Sequence, residues 1–199
     1  YNSVGLRLMQ NLGENIPAWA IRQYFTLTNL SGSFTLGETI SSGTNTAQVA
    51  WILTATNYTG NALQLTNVVG SFVSNNAVTG ASSGATATVY CTPVVQTPDL
   101  YRWGLFVSNW VSHYGTNVPS IEIWNEPNQD SEIPKPNGSL AFYAEILRIA
   151  LNQIKAISPA IETVAMGGVL TTAEVTNTLM YLDAGTRAKI DRISLHYYD

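Results

Sequence analysis

The chain has 199 residues, of which 45% are hydrophobic and only 11% are charged, so it has enough apolar surface to bury a sizeable core and is not intrinsically disordered. The net charge of -4, with nine basic residues scattered along the sequence, argues against nucleic acid as the main partner and favours neutral ligands. The sequence contains no run of about 18 apolar residues, so it predicts no membrane-spanning helix. Because Cys91 is the single cysteine of the sequence, an internal disulfide is excluded.

The first predicted element is a short strand. The run Val4-Gly5-Leu6-Arg7-Leu8-Met9 predicts this strand, and residues 11–19 have the Gly, Asn and Pro content of a loop. Residues 1–24 are therefore interpreted as a first α/β segment.

The next segment, residues 25–92, is rich in Gly, Ser, Thr and Asn, and short β-branched runs alternate in it with turn residues. The octet from Leu27 to Phe34 returns 38 positions later, from Leu65 to Phe72. Each copy runs on to an Ala-x-Val step, at Ala47 and at Ala87. The repeat predicts two copies of one small β unit packed on each other. The competing explanation is chance similarity in low-complexity sequence.

Residues 93–199 alternate between predicted helices and predicted strands, which indicates βα units and a parallel sheet. The helices have apolar residues at helical spacing, and the strands are short β-branched runs. The predicted helices are 99–114, 140–157 and 175–188, and the predicted strands are 121–124, 163–166 and 192–197.

An acid stands at the carboxyl end of the predicted strand 121–124, in the segment Trp124-Asn125-Glu126-Pro127-Asn128. Pro127 prevents the strand from continuing regularly, so Glu126 lies at its end. In parallel α/β barrels this end holds the active site. A carboxylic acid held among aromatic side chains can have a raised pKa, which lets it protonate a leaving oxygen near neutral pH. The alternative interpretation is a polar strand end without chemistry.

The octet from Ile121 to Asn128 closely resembles the end of the fourth strand in clan A glycoside hydrolases, especially the xylosidase and iduronidase-like family 39. Residues 5–20 look like the third strand of that group and its loop. Residues 163–168 are similar to its fifth strand, and residues 193–198 to its sixth.

The resemblance implies an α/β fold, namely a partial (β/α)8 TIM barrel that contains strands 3 to 6. Residues 1–24 and 93–199 would form the barrel, and residues 25–92 would be a small all-β domain inserted in the loop after the third strand. That loop opens on the catalytic face, so the insert would border the substrate cleft.

Carried over position by position, the resemblance implies a retaining glycosidase in which Glu126 is the general acid/base. Asn125 would hydrogen-bond the sugar 2-hydroxyl beside the scissile bond. Trp124 and Trp19 would contribute aromatic surface to the binding of an oligo- or polysaccharide. No metal ion or organic cofactor is implied.

Two further site residues come from the last predicted strand. Ser194, His196 and Tyr198 share one face by the period of two. The resemblance makes His196 and Tyr198 substrate contacts, or residues that orient the second carboxylate. The alternative is a core histidine with satisfied hydrogen bonds and a packing tyrosine.

Glu122 has the same parity along its strand as Glu126, so we expect its carboxylate to point into the concave side of the sheet. A buried carboxylate needs a partner. Arg7, on the preceding strand, is the candidate, and the pair would be structural.

A retaining mechanism also needs a nucleophilic carboxylate, which the family carries at the end of its seventh strand. The sequence ends at Asp199, just after the predicted sixth strand. We therefore expect a fragment of a longer polypeptide, inactive alone, with the nucleophile beyond its end.

The repeats of residues 25–92 resemble those of bacteriophage tail and baseplate proteins. Together the two resemblances predict a hydrolase of extracellular or cell-surface polysaccharides that is extracellular or virion-associated, with other virion tail proteins as possible partners. The alternative function is a non-catalytic glycan-binding or structural component of a phage tail with a degenerate glycosidase barrel. A third possible function is that of a structural α/β domain that binds no ligand.

Overall fold

The computed structural model describes residues 6–8, 21–53, 62–90, 94–127, 139–168 and 171–196. Two compact units are present. One comprises Pro17–Tyr101, and the other comprises Tyr1–Ile16 together with Arg102–Asp199. Within the described ranges, no helix combines the length and the apolar character needed to cross a membrane.

Strands outnumber helices in the described part of the chain. The strands are β1 (Leu6–Leu8), β2 (Ile21–Ser31), β3 (Thr39–Ser42), β4 (Asn45–Leu53), β5 (Ala62–Val69), β6 (Ala77–Gly80), β7 (Thr86–Val89), β8 (Val94–Pro98), β9 (Ser120–Ile123), β10 (Glu162–Gly168) and β11 (Arg192–Leu195). The α-helices are α1 (Leu100–Tyr114), α2 (Ser139–Ile157), α3 (Thr172–Met180) and α4 (Ala184–Arg187).

Four of these strands form a parallel sheet in the order β1-β9-β10-β11. Ile121 on β9 lies opposite Leu6 on one side and opposite Thr163 on the other. The predicted parallel pairing of strands 121–124 and 163–166 is therefore confirmed. Apolar side chains buried in the sheet include Ile121, Ile123 and Ala165, which are each at most 1% exposed.

The helices of this unit follow from their apolar spacing. α1 buries Trp103, Val107 and Val111, which recur every fourth residue on one face. α2 is buried along most of its length and ends at Ile157, before Pro159, which cannot continue a helix.

The single helix predicted for residues 175–188 is wrong, because two helices occupy this stretch. α3 starts earlier, where the side chains of Thr171 and Glu174 form a reciprocal capping box. A new helix, α4, begins after Asp183, whose carboxylate accepts a hydrogen bond from the backbone N–H of Thr186 at 2.8 Å. Capping by Asp183 divides the segment into two helices.

The other unit is antiparallel and closed. Six strands pair around a ring in the order β2-β5-β4-β3-β6-β7, and β7 returns to β2. β8 adds a seventh strand alongside β2. Inward residues alternate along the strands, as in β4, where Ala47 and Val49 are each 1% exposed. Phe25 and Phe72 meet in this core with ring centroids 5.8 Å apart.

The internal repeat is visible in the backbone of the ring. Asn29 and Asn67 both have φ of 51°, and Gly32 and Gly70 have φ of 82° and 80°. These are equivalent positions of the two octets, and each pair adopts the left-handed region that Asn and Gly tolerate. β2 and β3 recur as β5 and β6 with the offset of 38 residues, and β4 recurs as β7 with an offset of 40 residues between Ala47 and Ala87. The ring therefore has an approximate twofold symmetry, and the prediction of two copies of one β unit is confirmed.

The fold predicted from the resemblance, a partial (β/α)8 TIM barrel with a small all-β insert, is wrong. The closed barrel of this chain is antiparallel, and its sheet has seven strands. The parallel strands form a smaller, open sheet of four among the residues described. Closure depends on strand number, tilt and stagger, and the βα pattern of residues 93–199 specifies none of these.

One buried carboxylate marks the point where the two copies of the β unit differ. Glu38 is 6% exposed and accepts hydrogen bonds from the backbone N–H groups of Thr35, Ser82 and Ser83. The hydroxyls of Ser82 and Ser83 also donate to it, at 3.2 and 2.9 Å. Burial by itself would raise the pKa of Glu38, but these hydrogen bonds together hold it below its ordinary value. In the second copy, Asn76 takes the same place and accepts from Val73 N at 2.9 Å.

This difference makes a pH-dependent prediction. The lowered pKa means that Glu38 stabilises the fold fully above its ordinary pKa of 4.5, and that this contribution is lost as pH falls through the folded value. Glu38→Gln is expected to cost about 1–3 kcal/mol at pH 7, and the variant should lose less stability than the wild type on going to pH 3. Urea unfolding at both pH values measures this. The control, Asn76→Ala, removes one uncharged acceptor and should cost about 1 kcal/mol at either pH. Equal losses between pH 7 and 3 for wild type and Glu38→Gln would contradict the assignment.

Candidate functional site

Two polar side chains meet at the carboxyl ends of the parallel strands. Glu126 follows β9 and His196 follows β11, and these two strands flank the central strand β10. His196 Nδ1 lies 3.2 Å from Glu126 Oε1, which is hydrogen-bond distance. The side chain of His196 is 12% exposed and that of Glu126 is 20% exposed, so both are mostly buried but remain partly accessible to water. Ligands of open parallel sheets bind at this end of the strands.

The backbone around Glu126 is in an uncommon conformation. Trp124 has φ of 68° and Glu126 has φ of 43°, both in the left-handed region. Met166, on the adjacent β10, has φ of 66°. Non-glycine residues adopt this region at an energetic cost, and such residues cluster at functional sites. The turn ends the alternation of β9 and directs Glu126 towards β10 and β11.

Two consecutive glycines hold the site residues to β10. The backbone N–H of Glu126 donates to Gly167 O, and the N–H of His196 donates to Gly168 O at 3.0 Å. A side chain at position 167 would collide with the carboxylate of Glu122 and approach Trp124 O to 3.0 Å. Gly167 is therefore required for the close approach of the segment that carries Glu126.

The carboxylate of Glu122 lies near the other ring nitrogen of His196. Its Oε1 lies 3.6 Å from His196 Nε2, an ion-pair distance rather than a hydrogen bond. This oxygen is buried and accepts no hydrogen bond within the described part of the chain. The imidazole of His196 therefore stands between two carboxylates, one on each ring nitrogen.

A buried tyrosine connects the end of β9 to β10 by two hydrogen bonds. Tyr143, on α2, is fully buried; its hydroxyl donates to Ile123 O at 3.2 Å and accepts from Met166 N at 2.9 Å. Burial raises the pKa of Tyr143 against the opposing effect of the Met166 hydrogen bond, so the phenol stays protonated. The hydroxyl thus connects the end of β9 to the strained residue of β10.

Removing this hydroxyl tests whether its two hydrogen bonds stabilise the fold. Tyr143→Phe leaves a buried N–H and a buried carbonyl without their partner, so the expected cost is about 1–3 kcal/mol in the free energy of unfolding. Denaturant titration measures it. Tyr101→Phe, at a side chain that is 62% exposed on α1, is the matched control and should change stability by less than about 0.5 kcal/mol. If Tyr143→Phe and Tyr101→Phe have the same free energy of unfolding, the two hydrogen bonds of the Tyr143 hydroxyl do not stabilise the fold.

The structure describes two of the remaining predicted site residues. Asn125 is partly buried beside Glu126. Trp124 is 4% exposed and meets Trp103 of α1 edge to face, with ring centroids 5.9 Å apart. Trp19 and Tyr198 lie outside the described residues, so their substrate-binding roles stay predictions.

The predicted ion pair between Arg7 and Glu122 has a described backbone only. The two residues lie opposite each other in the parallel register of β1 and β9. The side chain of Arg7 lies outside the described part of the structure, so the pair stays a prediction.

Sequence reasoning missed three contributors to the site. Gly167 and Gly168 carried a usable signal, because two glycines in a row at a strand end permit close backbone approach. Tyr143 carried none, since an aromatic residue in an apolar helix is usually core. The contact of Glu122 with His196 was also missed, although both positions were singled out.

The described side chains of the site are arranged for proton exchange. Glu122 and Glu126 address opposite nitrogens of one ring, so the three groups do not converge on a point. The residues described contain no group of three His, Cys, Asp or Glu side chains able to hold a metal ion. Comparison with protein-family models, curated proteins and solved structures finds no match for this chain.

Proposed function

We propose that the protein is a retaining glycoside hydrolase of extracellular or cell-surface polysaccharides, with Glu126 as its general acid/base. The observation that carries the proposal is the placement of Glu126. It lies at the carboxyl end of a parallel strand, in a strained turn, with His196 Nδ1 3.2 Å from its carboxylate. A carboxyl group that exchanges a proton with a neighbour and keeps one edge open is suited to protonate a glycosidic oxygen and then to deprotonate water.

The low charge of the chain agrees with a neutral, hydroxyl-rich substrate. Charged residues make up 11% of the sequence, and Asn125 stands next to the acid. An amide can donate to and accept from sugar hydroxyls. In the proposed mechanism Asn125 binds the 2-hydroxyl, whose hydrogen bond strengthens as positive charge develops at the anomeric carbon.

A retaining mechanism needs a second carboxylate about 5–5.5 Å from the first. Glu122 does not fill this role, because the ring of His196 lies between it and Glu126 and its Oε1 is buried.

The second candidate function is a non-catalytic glycan-binding or structural component of a phage tail. The observation that favours it is the duplicated antiparallel barrel, whose sheet contains seven of the described strands. Repeats of one β unit are common in structural assemblies. In this case the strained turn at Glu126 would have no catalytic purpose.

One experiment separates the two candidates. The complete gene product is incubated with a panel of neutral polysaccharides and oligosaccharides, and anomeric proton NMR follows the first product formed. The proposal expects new reducing ends with the configuration of the substrate. Binding without new reducing ends favours the second candidate, and products of inverted configuration contradict the retaining mechanism.

A further inference from the structure

We infer that Tyr143 is a positioning residue for Glu126: its buried hydroxyl holds the strained turn that directs the Glu126 carboxylate towards His196. The inference rests on the acid/base role of Glu126 in the proposed function. It goes beyond that role, because Tyr143 belongs to helix α2, is 0% exposed and acts only through the backbone. The hydroxyl thereby has a part in the reaction besides its contribution to stability.

The hydroxyl of Tyr143 closes a circuit of hydrogen bonds around the turn. It donates to Ile123 O at 3.2 Å, just before the turn, and accepts from Met166 N at 2.9 Å on β10. The residue after Met166 is Gly167, whose carbonyl accepts a hydrogen bond from the backbone N–H of Glu126. The turn is therefore held at both of its ends, and the hydroxyl uses its donor and its acceptor capacity together.

The circuit encloses backbone that is unfavourable by itself. Six non-glycine residues of the described chain have positive φ, and three of them lie in the circuit: Trp124 at 68°, Glu126 at 43° and Met166 at 66°. Such conformations persist only where surrounding contacts enforce them. Two of the three hydrogen bonds of the circuit end on the Tyr143 hydroxyl. Without it, the turn can relax towards extended backbone.

The turn decides where the Glu126 side chain points. In a regular strand, Trp124 and Glu126 would lie on the same face. They diverge in this structure, because Trp124 contacts Trp103 of α1 with ring centroids 5.9 Å apart, whereas Glu126 Oε1 lies 3.2 Å from His196 Nδ1. Relaxation of the turn towards extended backbone would therefore move the carboxylate away from His196.

A purely structural role of Tyr143 is the alternative, and a second buried residue of α2 distinguishes it. Ile154 is 1% exposed and lies about three turns further along the helix, roughly 16 Å away. Ile154→Ala removes buried apolar atoms and should destabilise the fold at least as much as Tyr143→Phe. Because it leaves the circuit intact, an effect of lost stability alone would appear in both variants.

Nitrogen-15 NMR of His196 tests the inference without depending on activity. The sequence has two histidines, so a His113→Gln background leaves His196 as its only imidazole. Glu126→Gln in this background gives the Nδ1 signal of a ring that has lost its carboxylate partner at Nδ1. Tyr143→Phe is expected to move the Nδ1 signal from its wild-type position towards that of Glu126→Gln, and Ile154→Ala should leave it in place. An unmoved signal in Tyr143→Phe, or the same movement in Ile154→Ala, overturns the inference.

Reaction rates give the second readout. Displacement of a catalytic group by about 1 Å can slow a reaction about 100-fold, so Tyr143→Phe should lower kcat on natural glycans by about 10- to 100-fold. The pre-steady-state release of an activated aryl group, which does not need the proton, should slow much less. Equal losses for both substrate classes, or the same selective loss in Ile154→Ala, would overturn the inference.

Hydrogen exchange of the wild type keeps the inference testable if Tyr143→Phe does not fold. The amides of Glu126 and Met166 should exchange only through global unfolding, and exchange of either amide through local opening would overturn the inference. If the wild type has no glycosidase activity, the proposed function fails, while NMR and hydrogen exchange still decide whether Tyr143 directs Glu126.

Discussion

Replacing Glu126 by Gln is expected to slow hydrolysis of natural glycans by about 10²- to 10⁴-fold, the range that general acid–base assistance typically contributes. Gln keeps the shape of the side chain but cannot supply a proton, so fold and glycan binding should be retained. The loss should be much smaller in the first step for aryl glycosides whose leaving groups depart without protonation. The pre-steady-state release of the aryl group, which reports the first step, and the initial rate on natural glycans check this prediction, with binding measured in parallel.

Asn125→Ala is an informative companion to Glu126→Gln. It removes the proposed contact to the 2-hydroxyl and leaves the acid in place, so it should slow both substrate classes alike. If Glu126→Gln slows the first step of both classes equally, Glu126 is not the proton donor. If it leaves natural glycans unaffected, the proposed function is wrong.

Truncating Phe72 to Ala is expected to destabilise the antiparallel barrel by about 3–5 kcal/mol, as large-to-small changes in a core do. The ring is 1% exposed and packs on Phe25 at 5.8 Å. Phe34 is the equivalent residue of the other repeat and is 6% exposed. Because the ring of strands is closed and approximately symmetric, Phe34→Ala should have a similar effect on the same cooperative unit.

Urea unfolding of the barrel, followed by circular dichroism, measures both losses. Val73→Ala, next to Phe72 but 47% exposed, is the control and should change stability by no more than about 0.5 kcal/mol. A loss below about 1 kcal/mol for Phe72→Ala would contradict the closed core. A large loss for only one of the two phenylalanines would contradict the equivalence of the repeats.

Local patterns in the sequence predicted local structure well. The strands 121–124 and 163–166 and the helix of residues 140–157 were recognisable because burial of one face imposes a period of two or of 3.6. The duplication was readable because its octets preserve the Asn and Gly positions that need positive φ. Strand and helix periodicity and the repeated octet are properties of short segments, so they can be recognised from a few consecutive residues.

The global arrangement was not predicted. The βα pattern of residues 93–199 gives parallel pairing but not whether a sheet closes. The Ser- and Thr-rich stretch of residues 25–92 suggested a minor insert, whereas alternating small side chains such as Ala47 and Ala87 fill the interior of a closed barrel. Closure is a long-range property that depends on stagger between strands distant in sequence.

The candidate site was predicted in part. Glu126 and His196 were chosen on separate strands, and their proximity is a consequence of the strand order β9-β10-β11. The pair Gly167 and Gly168 carried a signal that was not used, whereas Tyr143 acts through backbone contacts that no motif specifies. Glu122 was assigned a structural partner because parity gives the face of a strand but not the neighbour two strands away.

The central claim is that Glu126 is the acid/base of a retaining glycosidase, and azide rescue of Glu126→Gln tests it most directly. The glycosyl-enzyme formed from an activated aryl glycoside needs a general base to admit water, whereas azide needs none. We predict that azide restores turnover of the variant and yields a glycosyl azide with the configuration of the substrate. A glycosyl azide of inverted configuration, or an aryl glycoside turnover that azide does not change, would contradict this assignment.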